Sequence, residues 1–142
     1  MYDQLVTFHF KYIYLLNPAF YTHHTLKDNL KNIKYEYNIC MEYFHRNKIF
    51  LTESLIQKIK DLETNFNTIK LYFEHELDLL KQAEDRVEST NPNHIYGDDS
   101  GEVNAIRLRL EALRMKEGIM NFESEIRGFR KLVEDYFKEL TT

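Results

Sequence analysis

An uninterrupted four-and-three spacing of apolar residues constrains this chain more than any other feature. Between positions 55 and 87 it runs Leu55, Ile59, Leu62, Phe66, Ile69, Phe73, Glu76, Leu80, Ala83, Val87, with a single polar member. A period of 3.5 residues keeps one stripe of an α-helix facing its neighbours, so a repeat this long specifies a bundle helix and excludes a strand. The stretch from 19 to 44 carries the same steps through Ala19, His23, Leu26, Leu30, Ile33, Tyr37, Cys40 and Phe44. A third stretch offers Ala105, Leu108, Ala112, Met115, Ile119, Phe122, Ile126, Phe129, Val133, Tyr136 and Leu140, with a second stripe at Val103, Ile106, Leu110, Leu113 and Met120. The double stripe predicts that the first half of this helix touches two neighbours.

Punctuation divides the helices. Asn17-Pro18 reads as an N-cap followed by proline at the first helical position, and Thr52 with Glu53 reads as a second cap. The segment 89–101, STNPNHIYGDDSG, is the one plain loop. The expected architecture is all-α, a single domain over 1–142. Its helices run at roughly 2–16, 18–46, 52–88 and 102–140, with three long antiparallel helices and a short N-terminal one. Gly118 and Gly128 each cost the last helix about 1 kcal/mol, which points to close helix approach or a bend.

Composition limits the function classes. With 43% hydrophobic and 30% charged residues the chain can bury a core and is not intrinsically disordered. A net charge of −4 argues against a nucleic-acid partner. The lone Cys40 excludes an internal disulfide and suits a reducing compartment, and the first twenty residues lack a signal-peptide pattern. A cytoplasmic location is therefore expected, and the wealth of Lys, Asn, Ile, Tyr and Phe suggests an AT-rich bacterial or phage genome. Cys40 lies on the core stripe and reads as a small buried hydrophobe.

The polar members of the stripes are the candidate chemistry. The short connection after position 46 predicts an antiparallel hairpin in which facing residue numbers total 99, as for Phe44 with Leu55. That register places His23 opposite Glu76. A total of 193 between the third and fourth helices adds Glu117, and His9 folds back from the first helix to within about one turn. His9, His23, Glu76 and Glu117 thus form an expected polar layer, read first as a device that fixes register. The alternative is a site for a divalent metal or another ligand. Glu42 and His45 match half of a di-iron carboxylate pattern without a second pair, and His94, Tyr96, Asp98 and Asp99 lack regular cation-loop spacing. No phosphate-binding glycine loop, nucleophile elbow or zinc-protease motif occurs, so no cofactor is expected and no catalytic residue is assigned.

The first helix stands apart. Tyr2, Phe8, Phe10, Tyr12 and Tyr14, followed by Phe20 and Tyr21, make it apolar around most of its circumference. One stripe suffices for docking, so the surplus predicts a second contact, with Phe10 and Tyr14 as the interface residues. The functional expectation is a non-enzymatic interaction protein, an adaptor, regulator or inhibitor, that self-associates or meets another protein. Membrane contact fits poorly, because Lys11 is the only basic residue on that helix.

Overall fold

A computed structural model describes residues 2–16, 22–90 and 101–141, and all its regular structure is helical. Helix α1 spans Tyr2–Leu16, α2 His23–Arg46, α3 Glu53–Thr90, α4 Gly101–Arg114 and α5 Glu117–Thr141, with one 3-10 turn at Lys48–Phe50. The all-α expectation is met, and α3 at 38 residues is about 57 Å long. The expected cap at Asn17 lies outside the described residues. The cap that is described for α2 is Thr22, whose hydroxyl accepts from the Thr25 amide at 3.3 Å. Thr52 does cap α3, accepting from the Leu55 amide at 3.2 Å.

Helices α1, α2, α3 and α5 contact one another in a closed ring, and α4 lies against α3 beyond it. Each stripe of α2 and α3 goes where its spacing sends it: Leu26, Leu30, Ile33, Cys40 and Phe44 are buried, as are Leu55, Ile59, Leu62, Phe66, Ile69, Phe73, Leu80 and Ala83. The Phe8 ring of α1 reaches across the core to Phe66 of α3 at 5.4 Å and Tyr37 of α2 at 5.8 Å. Phe122 of α5 completes the cluster, 6.4 Å from Phe8 and 5.0 Å from Tyr12. Edge-to-face rings at such distances bind better than area burial alone accounts for.

The expected fourth long helix is two helices. The chain breaks at Met115 and Lys116, where the Lys116 amide bonds back to Leu113 and the Lys116 carbonyl starts α5. Before the break the buried residues are Val103, Ile106, Leu110 and Leu113, the stripe read as secondary; Leu108 and Met115, from the stripe read as primary, are 64% and 75% exposed. After it the primary stripe resumes at Ile119, Phe122, Ile126, Phe129 and Val133. From Leu113 to Ile119 is six residues, which in an unbroken helix turns the buried face by about 120°. The break absorbs that rotation.

Its position follows from α1. The Tyr12 hydroxyl donates to the Ile119 carbonyl at 2.5 Å, and these two helices run antiparallel. Four residues further along α1 is its end at Leu16; four residues back along the partner is Met115. The bundle therefore has four helices below this level and three above it, and the fourth helix must present a different face to each section. Gly118 lies beside the break, in keeping with a bend. Gly128 does not mark a close approach, since a Cβ there would meet nothing within 4 Å.

The α2–α3 register also differs from expectation. The Tyr37 ring lies tilted against Phe66 at 4.2 Å, Lys34 pairs with Glu74 and His45 with Glu63, so facing numbers total 103 to 108 instead of 99. The cause is the connection: the 3-10 turn Lys48–Phe50 and the extended residues after it carry the chain onward before α3 begins, sliding α3 by about one to two and a half turns.

Candidate functional site

Three of the four polar stripe residues are buried, and each has its own partners. His9 on α1 is 3% exposed and is enclosed by α5. Arg130 Nη1 lies 2.8 Å from His9 Nδ1, and His9 Nε2 lies 2.8 Å from Glu123 Oε1. A guanidinium can only donate, so Nδ1 accepts and Nε2 carries the hydrogen given to Glu123. Arg130 also donates to the Tyr2 hydroxyl at 3.2 Å, which in turn bonds Glu134, and Arg127 pairs with Glu123. Burial alone would push the Glu123 carboxyl up, but the donors from His9 and Arg127 outweigh it and hold it below the usual carboxylate range. With both nitrogens engaged, the His9 ring locks α1 to α5 and has no lone pair to offer a ligand.

His23 does not face Glu76. It opens α2, where its first-turn amide has no partner within its own helix. Glu84 of α3 supplies one: Oε2 accepts from the His23 amide at 3.1 Å and from Nδ1 at 2.5 Å. Arg107 of α4 stands 3.9 Å from the other oxygen of Glu84. Glu84 is thus an inter-helix cap that ties the start of α2 to α3 in the three-helix section. Glu76 accepts from Arg109 of α4 at 2.8 Å. Glu117, the fourth member, is exposed at the start of α5.

The single polar layer is therefore corrected to three separate contacts. The slip of α3, about two turns at this level, moves Glu76 away from His23 and brings Glu84 in its place, and the break before Glu117 turns that side chain outward. Among the described residues no group of three or more His, Cys, Asp or Glu side chains is placed to hold a metal ion. Glu42 pairs with Arg46 and His45 with Glu63, all on the surface. His94, Tyr96, Asp98 and Asp99 lie outside the described residues. Cys40 is buried, and burial pushes its thiol up to about 12.

Glu84 and Arg114, both buried, escaped the sequence reading, although the spacing held the signal. Leu80 to Glu84 is a step of four and Glu84 to Val87 a step of three, as regular as the path through Ala83. Arg114 follows Leu110 by four in the same way.

The surface carries two further features. On α1, Phe10, Ile13 and Tyr14 are 59%, 42% and 65% exposed, on the side opposite the buried Leu5, Phe8, Tyr12 and Leu15. Between α3 and α5 lies an open groove of about 490 Å³, floored by Leu62, Gly128 and Phe129 and rimmed by Lys58, Asp61 and Glu125. Asn65 reaches over from α3 and donates to both Glu125 oxygens, at 3.1 and 2.9 Å. No protein family, curated protein or solved structure matches this chain.

Proposed function

We propose that this chain works by protein–protein contact, as a non-enzymatic adaptor, regulator or inhibitor, and that it self-associates through the outer face of α1. The carrying observation is the exposed trio Phe10, Ile13 and Tyr14 on a helix whose inner face is already fully docked. A helix needs one apolar stripe to join a bundle, and a second contiguous one facing water is characteristic of an interaction surface. Three large side chains at spacings of three and four form a ridge that a partner can cover in one piece. The net charge of −4 favours a protein partner over nucleic acid. Among the described residues no helix is long and apolar enough to cross a membrane.

Light scattering across a concentration series tests the reading. The wild type is expected to form a dimer or larger species, and the Phe10→Ser/Tyr14→Ser double variant to run as a monomer with unchanged helical content. A wild type that stays monomeric at high concentration refutes self-association.

A further inference from the structure

We infer that the α1 ridge of one copy seats in the α3–α5 groove of a second copy, so that the chain assembles head to tail; this rests on the α1 reading above and goes on to name the surface that receives the ridge. The first support is Gly128. A glycine inside α5 costs about 1 kcal/mol against alanine, yet a Cβ at that position would meet nothing within 4 Å among the described residues. Internal packing does not explain it. What the missing side chain does is leave the floor of the groove open between Leu62 and Phe129.

The second support is charge order. On α1, Asp3, Phe10 and Tyr14 fall on one line of the helix, and Lys11 flanks it. Asp3 and Lys11 are about 12 Å apart along the axis. Along the groove, Lys58 and Asn65 are about 10.5 Å apart on α3, and Asn65 holds Glu125 at that second level. An α1 laid parallel to α3 therefore sets Asp3 against Lys58 and Lys11 against Glu125. In that placement Phe10 comes level with Asn65, and because helical side chains lean toward the N-terminus its ring tips over Gly128. The reversed orientation sets Asp3 against Glu125, a like-charge contact, and brings Lys11 to Lys58, where Asp61 one turn away offsets the repulsion only in part.

Ridge and groove lie on different parts of the ring of helices, so a copy cannot fill its own groove. Such a contact is heterologous: it either closes into a ring, with every ridge and groove filled, or continues as a filament that leaves a free ridge at one end and a free groove at the other.

Complementation between two blocked chains tests this. Gly128→Leu fills the groove floor, and the open space around the position lets the variant fold. Phe10→Ser/Tyr14→Ser removes the ridge. Each alone should lose assembly by at least about tenfold in dissociation constant, and the two mixed should form a one-to-one pair, since one retains the ridge and the other the groove. In the full chain, Lys58→Glu should weaken assembly and Asp3→Lys in the same chain should restore it. If Gly128→Leu assembles like the wild type while the ridge variant does not, the groove is not the receptor and the inference falls, although the α1 reading stands. A mixture of the two monomeric variants that forms no pair also overturns it. A monomeric wild type overturns both.

Discussion

Replacing Phe8 with alanine tests how α1 is held. The side chain is fully buried and its ring meets Tyr37, Phe66 and Phe122 from three other helices at 5.4 to 6.4 Å. Buried phenylalanine truncations cost about 3–5 kcal/mol, the transfer loss and the residual cavity together. With an unfolding entropy of about 2.1 cal/mol/K per residue, a chain of 142 residues has close to 0.3 kcal/mol/K in total, so Tm should fall by about 10–17 °C. Phe8→Leu restores most of the apolar area but forfeits the ring contacts, each worth about 0.5–1.5 kcal/mol beyond area, and should land between alanine and wild type. The control is on the same helix: Phe10→Ala, on the outer face, should stay within about 0.5 kcal/mol in the unassembled protein. Urea denaturation followed by circular dichroism, with dilute samples, reads all three. A Phe8→Ala loss below about 1 kcal/mol, or one equal to that of Phe10→Ala, would show that α1 is not docked on its Leu5, Phe8, Tyr12 face.

Two further outcomes concern titratable groups. Burial raises the Cys40 thiol to about 12, so a thiol reagent near pH 8 should leave the folded protein unmodified and label it once urea has unfolded it; fast labelling of the native state contradicts the burial. Glu123 is held below the usual carboxylate range, so the stability it contributes is present above the unfolded pKa and is lost as pH falls through the folded one. Glu123→Gln should therefore flatten the acid limb of a stability–pH curve while remaining destabilised near neutrality, and an unchanged acid limb would remove Glu123 from the α1–α5 lock.

The stripe of α3 could be read residue by residue because α3 is one unbroken helix that keeps the same face inward from Leu55 to Ala83. The α4–α5 segment could not, because its two stripes are superposed in the sequence and the choice between them depends on where α1 stops. That is a tertiary fact, invisible to any window along α4. The register arithmetic failed for a local reason: counting across the connection assumes an immediate reversal, and the 3-10 turn at Lys48–Phe50 delays it. The buried polar positions His9, His23 and Glu76 were legible as interruptions of apolar stripes. The partners of His9 and Glu76 were not, since Arg109, Arg130 and Glu123 reach in from outside the stripes on long side chains, and nothing in a spacing pattern records where such arms end. Phe10 and Tyr14 were legible because a surplus of apolar residues on a short helix has to go somewhere.

The step from four helices to three also divides how the molecule fluctuates. The fully buried aromatic side chains Phe8, Tyr12, Phe44, Phe66, Phe122 and Phe129 lie in the four-helix section. The three-helix section is filled by Leu26, Leu30, Leu80, Ala83, Val103, Ile106 and Leu110, and it encloses the Glu84 side chain. Local opening costs less where less apolar surface is buried. Helix α3 runs through both sections without a break, so its backbone amides are expected to fall into two cooperative units: those before Phe73 should exchange with solvent only when the aromatic section opens, and those beyond Leu80 should exchange more readily, once the start of α2 lifts away from Glu84. One continuous helix should thus carry two protection levels, with the boundary between them set by the length of α1, a helix packed on the far side of the core.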